Sequence, residues 1–261
     1  MRPRGVITRG TTAHNRLRRL DRWLKPPNHP QPLVVDLGFG ADPVTTVEWY
    51  DRLWKQRGAV RVIGLEIDPQ RVAYAQSATI PGKREFRLGG FELAGLKPHL
   101  VRAMNVLRQY PESEVAQVWR LIAANLAPDG RFIDGTSSEL GRVASWISHD
   151  TRRPVTLTFA VDLRTMTTPA VLAERLPKAL IHRNIPGEPV HELLTALESA
   201  WRHCAPYRAF GPRDRWRRSL DTLAGAGWPV RETPARRRDG TLTVTWSAVA
   251  PRSGPMAETA G

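Results

Sequence analysis

The sequence predicts a doubly wound α/β domain, and three observations predict it. Short apolar runs suited to strands buried on both faces alternate with amphipathic helical stretches between residues 33 and 134. The first run, Leu33-Val34-Val35-Asp36-Leu37, ends in Gly38-Phe39-Gly40. An acid, Glu66, sits near the end of the second run, 26 residues after Gly40. Alternating strands and helices of this kind build a mostly parallel sheet covered on both faces.

Taken in order, residues 11–24 read as an amphipathic helix capped by Thr11 or Thr12, with Leu17, Leu20 and Leu24 on one side. Four prolines between Lys25 and Pro32 then make an extended linker, because no helix or central strand accepts them. After strand one, Pro43 starts a helix that aligns Val44, Val47, Tyr50, Leu53 and Trp54. Residues 60–67 are the second strand, and Pro69 opens the next helix. Residues 85–88 and 100–104 are strands three and four. Residues 112–126 are a helix with Val115, Val118, Trp119 and Ile122 inward, and Pro128-Asp129-Gly130 turns the chain into strand five at 131–134.

Beyond strand five the rhythm changes. Val155, Leu157, Phe159, Val161 and Leu163 alternate with smaller or polar residues, the period of a half-buried strand, and 143–147 suits its hairpin partner. Helices are expected at about 169–181, 188–203 and 213–226, a strand at 228–232, an arginine-rich turn at 233–240 and a last strand at 241–249. The chain therefore divides into a basic arm with its linker (1–30), a main domain (31–250) with an α+β insertion at about 141–210, and a polar tail (251–261). The complete expectation is a seven-stranded, mostly parallel sheet that closes on an antiparallel hairpin.

Composition narrows the classes. The chain has 261 residues, is 41% hydrophobic and 25% charged, and carries a formal net charge of +14, which is a globular balance. No apolar run reaches the ~18–20 residues of a membrane span, and the arginine-dotted start does not resemble a secretory leader. A single cysteine, Cys204, rules out an intrachain disulfide framework and a zinc finger or ribbon. These features read as a soluble, cytoplasmic protein without a metal site. The basic surplus is clustered: residues 1–25 hold eight cations against Asp21, and residues 201–240 hold ten arginines against four acids. A bias of 34 Arg to 5 Lys follows from GC-rich coding, but coding bias does not cluster charge. The clusters suit an anionic partner, with nucleic acid among the candidates.

A glycine turn after the first strand lets backbone approach a ligand, and an acid at the end of the second can accept ribose hydroxyls. On Val34–Gly40 and on Val62-Ile63-Gly64-Leu65-Glu66-Ile67-Asp68 the chain resembles the class I S-adenosylmethionine-dependent methyltransferases from about residue 31 to 250. A plain dinucleotide-binding motif would want a third glycine where Pro43 stands. The resemblance implies a Rossmann-like sheet and S-adenosyl-L-methionine as cofactor. It implies that Asp36, Gly38, Phe39 and Gly40 cradle the methionine part, that Glu66 holds the ribose, and that Ile67 packs on adenine. Gly90 stands where that family often has an adenine-contacting acid, so adenine would rest on Gly90 and Phe91; His99 replaces an acid at strand four.

Strand four leads into Asn105-Val106-Leu107-Arg108-Gln109-Tyr110, similar to a pattern in several methyltransferase branches, and Asn105 would also touch the cofactor. Methyl transfer needs an aligned nucleophile and, for a protonated acceptor, a base. Candidates for that work are Asn105, Tyr110 and His149; Asp134, Thr136, Ser137, Glu139, His182 and His191 lie on segments that could also reach the site. Arg108 and the turn cluster Arg236, Arg237 and Arg238 are candidates for holding an anionic acceptor, with the insertion as a lid. Two further readings remain: an RNA methyltransferase, and a non-catalytic cofactor-binding scaffold or regulatory protein.

Overall fold

A computed structural model describes residues 3–7, 10 and 12–257. Arg2, Arg9, Thr11 and the tail residues 258–261 lie outside the described residues. The chain forms two compact units, one of residues 1–141 with 149–153 and one of 142–148 with 154–261.

In the first unit, strands β1 (Leu33–Leu37), β2 (Arg61–Glu66), β3 (Arg84–Leu88), β4 (Leu100–Met104) and β5 (Arg131–Ser137) form a parallel sheet ordered β3-β2-β1-β4-β5. Helix α1 (Arg18–Trp23) precedes the sheet, and α2 (Val44–Arg57), α3 (Pro69–Ala75) and α4 (Glu112–Ala123) connect its strands. The order reverses between β1 and β4. Open sheets of this type bind ligands outside the carboxyl ends of the strands at that reversal.

Local chemistry sets the boundaries. Asp68 caps α3 by accepting from the Gln70 N–H, and Pro69 at the first helical position needs no partner for its nitrogen. Gly58 ends α2 at φ +71°, and its N–H donates to the Trp54 carbonyl. Gly64 leaves room for the edge-to-face pair of Phe39 and Phe86, whose centroids are 5.3 Å apart. A Cβ there would lie 2.7 Å from Phe86 and 3.0 Å from Phe39.

A buried polar knot ties the N-terminal helix to this sheet. Arg102, on β4, donates to Asp36 on β1, to the Thr45 carbonyl and to Asp21 on α1; Asp21 also pairs with Arg52 on α2. The Arg102 guanidinium lies 4.0 Å from the Trp49 ring, a cation–π contact. The proline stretch is anchored as well: Leu24 is buried, the Lys25 carbonyl accepts from Arg131, and the His29 ring stacks 4.1 Å from His99. The regular helix begins at Arg18 rather than near residue 11.

The second unit contains β6 (Val143–His149, except that His149 itself counts with the first unit), β7 (Pro154–Val161) and β8 (Thr241–Thr245), adjacent in that order. β7 and β8 are antiparallel, and facing Thr158 and Thr243 hydroxyls are 2.8 Å apart. Helices α5 (Lys178–Ile181), α6 (Pro189–His203), α7 (Pro212–Gly225) and α8 (Pro234–Arg238) complete it. α6 and α7 bury Leu193, Leu197, Trp201, Trp216 and Leu220.

The described residues hold eight strands, not seven. The α/β class and the antiparallel C-terminal strands are as expected, but the closing hairpin is not. Residues 228–232 make only an isolated bridge, Val230 to Val244, so β8 has β7 as its ladder partner. Pro229 supplies no N–H to extend a ladder there. The last strand ends at Thr245 and passes into a 3-10 turn at Trp246–Ala248, and 169–181 is a 3-10 turn (Pro169–Arg175) followed by α5. Among the described residues, no helix is long and apolar enough to cross a membrane.

Candidate functional site

The carboxyl ends of β1 and β4 open a cleft in the first unit. The Gly38 N–H donates to the Leu65 carbonyl at 2.8 Å, which ties the turn after β1 to β2. Gly38 and Gly40 take φ of +70° and +90°, a region that side-chain-bearing residues rarely adopt. A Cβ on Gly38 would come within 2.7 Å of Val106. Phe39 turns its ring into the α3 layer against Phe86, so its backbone is what faces the cleft.

Glu66 closes this turn. One carboxylate oxygen accepts from the Gly40 N–H at 3.0 Å and the other from the Ile67 N–H at 2.9 Å. Arg71 stands 3.7 Å from the same carboxylate, which is 1% exposed. Asp36 has a different setting from the one the family resemblance implies. Its carboxylate accepts from Arg102 at 2.9 Å through both oxygens and from the Thr45 and Thr46 hydroxyls. Asp36 borders the cleft floor while its charge is committed to the knot beneath. Burial pushes Asp21 up to about 6 against the pull of Arg102 and Arg52. Arg102 is held above the usual guanidinium range because Asp36 and Asp21 outweigh its own desolvation.

After β4 the chain turns through Asn105, at φ +62°. Its N–H donates to the Gly135 carbonyl, and its side-chain oxygen accepts from the Ser137 N–H at 3.0 Å. Asn105 thus locks the carboxyl ends of β4 and β5 together at the mouth. Tyr110 packs edge-to-face on Phe91 at 5.2 Å. Burial raises its pKa, so its hydroxyl stays protonated at neutral pH. Arg108 is half-buried just after the mouth.

Arg4, Gly5, Val6 and Gly10 of the N-terminal segment line this cleft. The Arg4 N–H donates to Glu92 at 2.9 Å, and the Arg4 carbonyl accepts from the Phe91 N–H at 3.0 Å. The Val6 N–H donates to the Tyr110 hydroxyl, and Gly5 lies against Ile67. Further along, the Gly10 carbonyl accepts from the Ala41 N–H at 3.2 Å, just past the glycine turn. Arg16 reaches across to the carbonyls of Ser137 and Ser138. Glu92 is a site residue that the sequence reading missed. It is buried, and it also accepts from the Gly90 N–H at 2.8 Å. An acid in the loop after β3, two residues from Gly90, was the available signal.

His149 is displaced from the role expected of it. Its ring lies 4.4 Å from Trp119 and 5.0 Å from Phe132, the second residue of β5. The mouth is formed by the other end of β5, so His149 belongs to the opposite edge of the sheet. Burial lowers its pKa to about 3, which leaves a neutral ring inside an aromatic layer. Asp134 is buried too, and accepts from Trp119 Nε1 at 3.0 Å; burial raises it to about 7. Thr136 and Ser137 are buried, and Glu139 is exposed.

Arg236, Arg237 and Arg238 lie in the second unit. They form a short helix capped by Thr233 rather than an open hairpin turn. Arg237 pairs with Asp221 and donates to the Glu232 carbonyl. His182 and His191 are also in that unit, and His191 contacts Asn184 at 3.2 Å. The strand expected just before the cluster, at 228–232, is only the isolated bridge of Val230 to Val244.

The residues at the mouth fit a nucleoside cofactor in kind. Two positive-φ glycines clear a path for it, Glu66 offers a carboxylate at a strand end, and the Phe91 N–H with the Glu92 carboxylate offers a donor beside an acceptor. Among the described residues no group of three or more His, Cys, Asp or Glu side chains could hold a metal ion.

No family model matches the chain, and no curated protein matches it. Among solved structures it is similar to a TehB-like SAM-dependent methyltransferase from Corynebacterium glutamicum, at 18% identity and a TM-score of 0.36 over 48% of this chain and 64% of that one. It is also similar to magnesium protoporphyrin IX methyltransferase from Synechocystis with bound SAM, at 23% identity and 0.33 over 41% and 49%. A third is human N-acetylserotonin methyltransferase in complex with SAM, at 19% identity and 0.37 over 46% and 32%. In each case the similarity spans less than half of this chain and less than two thirds of the other.

Proposed function

We propose that this chain is a class I methyltransferase that uses S-adenosyl-L-methionine and transfers its methyl group to an anionic acceptor. One arrangement carries the reading: the Gly38-Phe39-Gly40 turn at the reversal of a β3-β2-β1-β4-β5 sheet, closed by Glu66 onto the Gly40 N–H. Glu66, Ile67, Phe91 and the glycine turn would hold the cofactor, which would supply a sulfonium-bound methyl group. Asp36 supports the floor by fixing β1 to β4 through Arg102.

Asn105 and Tyr110 would orient the acceptor. Asn105 is pinned at the mouth by its bond to Ser137, and the protonated Tyr110 hydroxyl can donate as well as accept. Arg108 supplies a cation next to them, and the clustered charge of the chain favours an acceptor bearing phosphate or carboxylate.

Calorimetry with S-adenosylmethionine tests the cofactor, on the full chain and on a chain lacking residues 1–10. Glu66→Ala should lower the affinity by about tenfold or more, as loss of a hydrogen-bonding carboxylate does. Absence of binding to both chains would discard the reading. Turnover of methyl-labelled cofactor with a cell extract, separated into RNA, protein, lipid and small molecules, then identifies the acceptor class. Label in RNA would favour the RNA methyltransferase reading. Cofactor binding without label in any fraction would favour a regulatory protein.

A further inference from the structure

We infer that residues 4–6, with Gly10, are an internal occupant of the cofactor cleft and exclude the cofactor until they leave, an inference that rests on the methyltransferase reading above. The segment makes the contacts a nucleoside would make. A single residue, Arg4, presents a donor to Glu92 and an acceptor to the Phe91 N–H. Adenine carries the same pair on one edge, an amino donor beside a ring-nitrogen acceptor. Both cannot use Phe91 and Glu92 at once.

The fit of the backbone is close at both ends of the cleft. A Cβ on Gly90 would lie 2.0 Å from the Arg4 carbonyl oxygen, and one on Gly10 would lie 2.7 Å from the Ala41 nitrogen. Gly5 sits 3.6 Å from Ile67 by the same measure, and Val6 engages Tyr110. The segment therefore covers the region assigned to adenine and the region after the glycine turn assigned to the methionine part.

The same contacts make it displaceable. Val6 and Ile7, its large apolar side chains, are 62% and 52% exposed. The segment is held by backbone hydrogen bonds and buries little apolar surface of its own, the profile of a region that opens locally. An occupied cleft lowers the apparent affinity of the cofactor by the fraction of molecules in which it is open. Release of the segment should restore that fraction.

The test is calorimetry with S-adenosylmethionine and S-adenosylhomocysteine on the full chain, the chain lacking residues 1–10, and Gly10→Val. That last variant sets a Cβ against Ala41 and so loosens the segment's hold, and it serves if the shortened chain folds poorly. Both variants should bind about tenfold or more tightly than the full chain. Hydrogen exchange on the full chain reads the segment directly: the Arg4 and Val6 amides should be slow alone and fast with cofactor. Weaker binding by the variants, or Arg4 and Val6 amides that stay slow with cofactor bound, would make the segment a lid and overturn the inference while the methyltransferase reading stands. If none of the three chains binds either compound, the cofactor reading falls and the competition falls with it.

Discussion

Asp36 and Arg102 form a bidentate pair between the two central strands, with Nε–Oδ1 and Nη2–Oδ2 distances of 2.9 Å each. Arg102 is fully buried and Asp36 nearly so. A buried pair of this kind repays its desolvation only with further hydrogen bonds, here the Thr45 and Thr46 hydroxyls donating to Asp36 and Arg102 donating to Asp21. Arg102→Met removes one partner and leaves two carboxylates buried. It should cost about 3–5 kcal/mol of stability. Urea unfolding of the variant measures this, and a loss below about 1 kcal/mol would mean that water reaches the knot.

Asp134 makes stability depend on pH in the direction opposite to a salt-bridged acid. Burial raises its pKa from 3.8 to about 7, with the Trp119 bond pulling the other way. Between those values the folded state holds a proton that the unfolded chain has released. Stability from this group is therefore present below about pH 4 and is lost as pH rises through 7. Asp134→Asn keeps an acceptor for Trp119 and removes the titration. The variant should gain on wild type by a few kcal/mol at pH 8 and differ little at pH 4. Equal pH profiles of the unfolding midpoint would show that Asp134 is ionised in the fold.

His149 acts from the acid side. Burial lowers its pKa from 6.5 to about 3, so the unfolded chain binds a proton that the folded chain does not. Its contribution is present above about pH 6.5 and is lost as pH falls toward 3. Nε2 of this ring is buried without a partner among the described residues. His149→Phe suits the aromatic layer of Trp119 and Phe132 and should make the chain more resistant to acid, with methyl transfer unchanged. A large loss of turnover in a folded His149→Phe would return this residue to the candidate site.

The first five strands, the glycine turn and Glu66 were legible because each depends on local pattern: apolar runs, a residue that permits positive φ, and an acid at a strand end. Residues whose role depends on distant packing were not. Glu92 takes its meaning from Arg4, 88 residues away, and His149 from rings on α4 and β5. Nothing local announces Arg102 as the partner of Asp36 across the sheet. The strand expected at 228–232 had suitable apolar residues, yet Pro229 and the pairing of β7 with β8 reduce it to one bridge. The path of the N-terminal segment was hidden for a related reason. Its affinity for the cleft lies in backbone groups, which every sequence carries.

Asn105 joins strain to function at the mouth. At φ +62° a residue with a Cβ is disfavoured, by about 1–2 kcal/mol for most types and less for Asn. Its side-chain oxygen also fixes Ser137, the last residue of β5. Three variants separate the two contributions. Asn105→Gly relieves the backbone but loses the bond, Asn105→Asp keeps an acceptor at a tolerated φ, and Asn105→Val loses both and adds a β-branched side chain. Stability should fall in the order Asp, Gly, Val, with Val about 2–4 kcal/mol below wild type. If Asn105 positions the acceptor, the Gly variant should lose turnover while retaining cofactor affinity. Loss of cofactor affinity in the Gly variant at unchanged stability would instead place the side chain on the cofactor, and calorimetry beside labelled-methyl turnover distinguishes the two.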